Sequence, residues 1–241
     1  MRTIYLSFLL LIQAVIFASP PFFMTFTPPK GWVIADLAQM QGEIKVGFIK
    51  STKGFFSPAI TLSFERVEDG NFLTYLSAVK QHYASDPTNY CRMLGTLNTS
   101  LGKTALLQID VKHQCGKIGV FQAISFCENY AIIQTATCLQ KDLLAMREIF
   151  LDSFKSIVIY PTLLASFDNL YFQRKVQDLY NQWEQHIAAS NIDSETLFKN
   201  PSFQNNQWIP FVHFIEKECA MQGSCWQFLA LQYVKESLLQ R

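Results

Sequence analysis

Between Glu43 and Ile49, apolar and charged residues alternate: Ile44, Val46 and Phe48 fall on one side, Glu43 and Lys45 on the other. Ala59 to Glu65 repeats the scheme, with Ile60, Leu62 and Phe64 set against Thr61, Ser63 and Glu65. A period of two predicts half-buried strands of an antiparallel sheet with one covered face. Gly31-Trp32, just after Pro28-Pro29, reads as a turn feeding a first short strand. Further strands are expected at Tyr90–Leu97, Lys103–Lys112, Ile118–Phe126 and Tyr130–Cys138. Glu128-Asn129 is a two-residue link suited to a tight hairpin between the last two.

Two stretches change the period to that of a helix. Asn71 can cap a helix running to about Ser85, with Phe72, Leu76, Val79 and Tyr83 along one stripe. Asp86-Pro87 ends it, because a residue before proline disfavours helical geometry. A second helix, from about Lys141 to Phe154, carries Leu143, Met146, Ile149, Phe150 and Phe154 inward. Strands, helix, strands, helix is the order of an α+β fold, an antiparallel sheet flanked by helices.

From about Thr162 the chain is helical by period, with Leu163, Phe167, Leu170, Val176, Leu179, Trp183 and Ile187 recurring near 3.6 spacing. A polar interval, Asn191–Gln207, precedes two more helices. Pro210 suits the first turn of one and Gly223 its end, and Ser224 with Gln227 has the spacing of a capping box for the last.

The start of the chain adds a compartment. Arg2, the apolar run Ile4–Ile12 and the small residue Ala18 have the layout of a secretory signal peptide cleaved after Ala18. The expected organisation is therefore a signal at 1–18, an α+β domain at 19–160 and a helical extension at 161–241. No later segment is apolar enough to span a bilayer, so a periplasmic or secreted location without a membrane span after cleavage is expected. Net charge is +1, which gives no electrostatic reason to expect nucleic acid as a partner. Charged residues are only 16% and aromatics 14% of the chain, which favours a large core and some aromatic surface for a protein partner.

Six cysteines in an exported chain favour some disulfides. Cys219 and Cys225 flank a predicted helix reversal and form one expected pair. If Glu128-Asn129 is the turn, Cys138 lies opposite Gly119 and about 26 Å from Cys127, at about 3.3 Å per residue, so those two cannot bond. Cys115 pairing with Cys138 is the second expectation, Cys91 being a competing partner, while Cys127 stands alone. No C-x-x-C occurs, and His82, His113, His186 and His213 do not make a helical i, i+4 ligand pair, so neither a metal nor another cofactor is expected. His113 and Cys115 are two residues apart and would share a strand face, the seed of a thiol-dependent hydrolase with His113 as base. A disulfide-linked envelope structural protein, joined through Cys127, is a further alternative. Asn98-Thr99-Ser100 matches a glycosylation acceptor, and no Gly-rich phosphate loop or G-x-S-x-G is present.

The order of several segments carries a resemblance. These are Pro29-Lys30-Gly31-Trp32, the strand Ile60–Phe64, the helix Asn71–Val79, the turn and strand Leu101–Gln108, the strand Tyr130–Thr137 and the closing Phe150–Ile157. Together they resemble the fold family that includes the photosystem II extrinsic protein PsbP and the bacterial envelope protein DcrB, over about 130 residues before Tyr160. The resemblance implies an α/β/α sandwich and a non-catalytic binding, assembly or stabilising role. It brings no catalytic residue and no matching metal ligands. The chain departs from the DcrB pattern in lacking a lipoprotein cysteine, and its helical tail is foreign to the family.

Overall fold

The structure is a computed structural model and describes residues 20–36, 44–52, 54, 56–68, 71–189 and 192–241. The expected signal segment and Glu43 lie outside the described residues. The chain forms two compact units, one built from Phe26–Val158 and the other from Pro21–Thr25 with Ile159–Arg241.

The first unit is a seven-stranded antiparallel sheet with helices against it. Its strands are β2 (Val33–Ile34), β3 (Ile44–Ile49), β4 (Ala59–Arg66), β5 (Tyr90–Thr99), β6 (Gly102–His113), β7 (Gly116–Cys127) and β8 (Tyr130–Leu139). They lie in the order β2-β3-β4-β8-β7-β6-β5. The last four strands form a meander of hairpins, and β8 closes it by pairing with β4 from Ala59↔Thr137 to Arg66↔Tyr130. Cys127 faces Tyr130 across the Glu128-Asn129 turn, and Cys138 faces Gly119, the register that the spacing predicts. Glu128 takes a left-handed φ of 52°, as a two-residue hairpin turn requires.

Alternation then sorts the side chains. Ala105, Leu107, Ile109, Ile118, Val120, Ile124 and Ile133 form one face and pack with Leu76 and Tyr83 of α1 (Phe72–Ala84). Asn71 caps α1 as expected, its Oδ1 accepting from the Leu73 and Thr74 N–H groups at 3.0 and 3.1 Å. Phe121 and Gly119 point to the opposite face, where Phe121 meets Phe150 of α2 (Leu143–Lys155). A Cβ on Gly119 would stand 2.8 Å from Leu143 Cδ2, so the glycine is what lets α2 approach this closely. Register puts Val46, Phe48, Ile60, Leu62 and Ala136 on that same face, all fully buried. Trp32 and Phe26 extend the core there, ring to ring with Phe150 and Phe48. Ser153 and Ser156 of the α2 end hold the chain at Thr27, one donating to its carbonyl and the other accepting its N–H, each at 2.8 Å.

The second unit carries a feature that periodicity did not announce. Phe23–Thr25 forms strand β1, paired with β9 (Val158–Tyr160) in a separate two-stranded sheet. Phe23 is enclosed by Tyr160, Trp226 and Tyr233, with ring centroids at 6.5, 6.2 and 5.9 Å. Three long helices follow: α3 (Leu170–Ala189), α6 (Ile209–Glu218) and α7 (Ser224–Leu239), with short α4 (Ser194–Phe198) and α5 (Pro201–Phe203) between α3 and α6. Helix α3 begins later than the apolar stripe suggested, because a single tight turn at Leu164–Ser166 precedes it and Asn169 Oδ1 accepts from the Phe172 N–H at 3.0 Å. The polar interval before α6 is not a plain linker. Asp193 caps α4, Asn200 caps α5 with Pro201 in its first turn, and Gln204–Trp208 forms a wide π-helical turn leading into α6.

The expected capping box is not formed. Gly223, at φ 83°, is the residue before α7, and Ser224 makes no cap hydrogen bond. Gln227 instead donates to the Ile215 and Glu216 carbonyls at 2.7 and 3.0 Å, filling acceptors that the end of α6 leaves open.

One buried group in the sheet runs against the packing. Gln134 sits mid-strand on β8, 2% exposed, between Leu62 and Ala123, and its Nε2 has no hydrogen-bond partner. An unsatisfied buried donor costs about 1–3 kcal/mol. Gln134→Leu should therefore raise stability by about 1–2 kcal/mol. Urea unfolding would show this as a higher midpoint at unchanged slope, and a lower midpoint would mean that the amide is satisfied in solution.

Candidate functional site

Two places on the first unit leave chemistry or surface uncommitted. The first is β5, which among the described residues pairs with β6 alone, so that its outer side ends the sheet. The strand is ten residues long, whereas β2 at the other edge has two. Tyr90, Met93 and Leu94 are exposed on it, at 58%, 43% and 38%. The register shifts between Met93↔Leu107 and Gly95↔Leu106, which leaves Leu94 as the extra residue of a bulge. Gly95 supports the bulge with a φ of 129°, a conformation that other residues rarely adopt. Arg92 is the one charged residue of the strand, and its Nη2 donates to Gln108 Oε1 at 2.8 Å. Gln108 in turn donates to Asp110 Oδ1 at 3.2 Å, a polar rail along β5 and β6.

The second place is the turn between β6 and β7. His113 faces Gly116, and Gln114-Cys115 makes the two-residue link. Gly116 has a φ of 119°, which permits so tight a reversal. His113 Nδ1 lies 2.8 Å from Cys115 Sγ and accepts the Cys115 backbone N–H at 3.3 Å. An acceptor cannot carry a proton, so Nδ1 is the bare nitrogen and the thiol is the donor to it. The two residues named as a candidate pair from sequence are thus brought together, through the turn rather than along a straight strand. Both are half-buried, and Cys115 packs against the core face beneath α1. Among the described residues, no third group hydrogen-bonds to His113.

Beneath α1 lies a polar inset. The Tyr75 hydroxyl donates to Glu65 Oε2 at 2.6 Å, and burial together with that carboxylate pushes the Tyr75 pKa far up. Tyr83 is pushed up to about 12, by burial first and then by the nearby Cys91 thiol. The Tyr75 and Phe72 rings each pack edge to face on Phe126, so this inset reads as support for the helix.

The structure lends the expected disulfides no support. All six cysteines are among the described residues, and no disulfide joins any two of them in the structure. In the structure Cys115 packs on the core cluster under α1, whereas Cys138 faces Gly119 on the α2 side. Cys219 and Cys225 end α6 and open α7 as expected, both side chains lying in the helical core at 1% exposure. Cys127 sits at the Glu128-Asn129 turn, half-buried. Asn98 is exposed at the end of β5.

Among the described residues, no cluster of three or more His, Cys, Asp or Glu side chains is formed, and no helix is long and apolar enough to cross a membrane.

No family model matches the sequence, and no curated protein matches it. Several solved structures are similar in fold. LpqN of Mycobacterium tuberculosis, described as involved in cell envelope biogenesis, is 10% identical with a TM-score of 0.45, over 57% of this chain and 83% of that one. A cyanobacterial PsbP from Synechocystis is 10% identical with a TM-score of 0.40, over 57% and 93%. The yeast Ran-binding protein Mog1p is 11% identical with a TM-score of 0.37, over 56% and 89%. Each likeness concerns the fold and says nothing of what this chain binds.

Burial also sets a pH response. Burial, and secondarily Asp142, pushes the Cys138 thiol up to about 12, and burial with Glu218 pushes Cys219 up to about 11. Each keeps its proton in the folded chain after the unfolded chain has lost it, so the unfolded state binds fewer protons above pH 9. Stability should be full below about pH 9 and fall as pH rises toward 12. Replacing Cys138 by Ala should flatten part of that slope in urea titrations run at pH 8 to 11; an unchanged slope would remove Cys138 from the account.

Proposed function

We propose that the protein is an exported, non-catalytic binding or assembly factor that takes a protein partner along the free edge of β5. The observation that carries this reading is the length and composition of that edge. An open edge strand offers a row of unpaired N–H and C=O groups, and soluble proteins commonly blunt such edges with short strands, charges or proline. Here ten residues carry one charge and three exposed apolar side chains. An extended segment of a partner can add a strand, main-chain bonds giving affinity and alternate side chains giving selectivity. Tyr90 and Met93 alternate across the two faces, opposite Asp110 and Leu107 respectively, so an added strand would meet one polar and one apolar neighbourhood. The bulge at Leu94 divides the edge in two and fixes the register that a partner must match. Export to a periplasmic or extracellular setting follows from the Arg2–Ala18 pattern.

The test places a photoreactive benzophenone side chain at Leu94 and, as control, at Leu144, which is 83% exposed on α2. A discrete adduct from envelope extracts should form from position 94 alone and should vanish when Met93→Lys is added with thermal stability unchanged. Equal adducts from both positions, or an adduct that Met93→Lys leaves untouched, would refute the reading.

A second reading rests on the 2.8 Å contact between His113 Nδ1 and Cys115 Sγ. It makes the protein a thiol-dependent hydrolase, with Cys115 as nucleophile and His113 as base. Hydrolysis of model thioesters that Cys115→Ser abolishes would select this reading over the first, and hydrolysis unchanged by that substitution would dismiss it.

A further inference from the structure

We propose that the segment which β5 takes is an acidic strand, with carboxylates on the face it shares with Arg92 and apolar residues on the face it shares with Met93. The proposal rests on the β5 edge reading and adds the chemistry of the occupant. The two-residue turn Gln114-Cys115 makes His113↔Gly116 a hydrogen-bonded pair, and such pairs alternate along an antiparallel ladder. The odd-numbered residues of β6 are thereby bonded to β7, and Gln108 and Asp110 turn their N–H and C=O groups toward β5. Their partners there are Arg92 and Tyr90, so the main-chain groups of Cys91 and Met93 point to the open side. An antiparallel strand bonded to Cys91 and Met93 sets one of its own residues opposite Arg92 in a non-hydrogen-bonded pair. Side chains stand closest in pairs of that kind.

Charge decides what that residue is. Residues 72–127, which form α1 and the three strands at this end of the sheet, carry Lys80, Arg92, Lys103, Lys112 and Lys117 against Asp86 and Asp110. The chain as a whole is nearly balanced, at +1. Among the described residues none of these five cations is ion-paired. Arg92 has a neutral carboxamide, Gln108, as its partner, which leaves donors of its guanidinium fork for another acceptor. A planar carboxylate fits that fork. Asp110 does not fill the role, because it lies on β6 opposite Tyr90 and receives the Gln108 amide. Asp86 is taken up in its own turn, accepting from the Thr88 N–H and hydroxyl at 2.8 and 2.7 Å. Lys112 and Lys117 stand directly opposite each other, a repulsive cross-strand pair that raises the positive potential of this end of the sheet.

The other face selects differently. Cys91 and Met93 share it with Ile109 and Leu107, apolar residues of the core under α1. Lys80 of α1 reaches Met93 from above, its Nζ 4.0 Å from the sulfur. An apolar residue of the partner opposite Met93 extends that surface, with the Lys80 ammonium at its rim. A basic segment is repelled on both faces, and a neutral one leaves the Arg92 fork unused.

The experiment titrates the full chain with four fluorescein-labelled peptides, read by fluorescence anisotropy. One alternates valine and glutamate, and two carry glutamine or lysine in place of glutamate. The fourth is the glutamate peptide with its amides N-methylated, which keeps the charge and cannot pair as a strand. The glutamate peptide should bind roughly tenfold or more tighter than the glutamine one, weaken as salt rises and be lost on N-methylation. Arg92→Glu should reverse the order of the glutamate and lysine peptides, with circular dichroism unchanged. Met93→Pro, which removes one N–H from the open side alone, should release the glutamate peptide. Equal binding of the glutamate and glutamine peptides, both lost in Met93→Pro, overturns the acidic strand while the edge reading stands. Full affinity of the N-methylated peptide overturns it too, as does release of the glutamate peptide by phosphatidylglycerol vesicles, since the cations then serve any anionic surface. If no peptide binds, the acidic strand is refuted and the adduct at Leu94 decides the edge reading by itself.

Discussion

Everything in the first unit hangs on β8 being hydrogen-bonded on both sides and covered on both faces. It pairs with β4 over its length up to Thr137 and with β7 over all of it, and eight of its ten residues are buried. A strand so placed cannot slip by one residue, because a slip would exchange Ile133 under α1 with Gln134 and Ile132 under α2. The register of this one strand therefore fixes which residues of β7 and β4 face each helix. It also places Cys138 opposite Gly119, on the face that α2 covers.

How much of this could be read from the chain follows from what each signal encodes. Alternation in Ile60–Phe64 and Ile118–Phe126 is local, and it located the strands within a residue or two. The two-residue link Glu128-Asn129 is also local, and it set the register of β7 against β8. The capping box failed for a different reason. Ser224 and Gln227 have the right spacing, but the open carbonyls of Ile215 and Glu216 compete for the Gln227 amide, and that competition belongs to the packing of α7 on α6. Strand β1 was missed because its partner, β9, is more than a hundred residues away and both are three residues long. No period can be measured in three residues.

The His113–Cys115 pair was legible as a spacing, while its meaning was not. Two residues apart on a strand would leave the side chains parallel and the imidazole free to turn. The turn brings sulfur and Nδ1 into contact and assigns the tautomer through the Cys115 N–H. In that arrangement Nδ1 is placed to take the Cys115 proton directly, the step that the hydrolase reading requires.

The long free edge of β5 poses the opposite problem, since nothing in the sequence marks a strand as an edge. Its alternation is poor, with Met93, Leu94 and Gly95 in a row, and poor alternation usually reads as a weak strand. In the structure the same irregularity is the bulge. A bulge both discourages indiscriminate pairing and gives the edge a fixed point of registration. Tyr90 and Met93 on one side of it and Leu97 on the other then present different side chains at a set spacing. An edge kept merely harmless would be shorter or more charged, as β2 is shorter. That combination is what the proposed partner strand would engage.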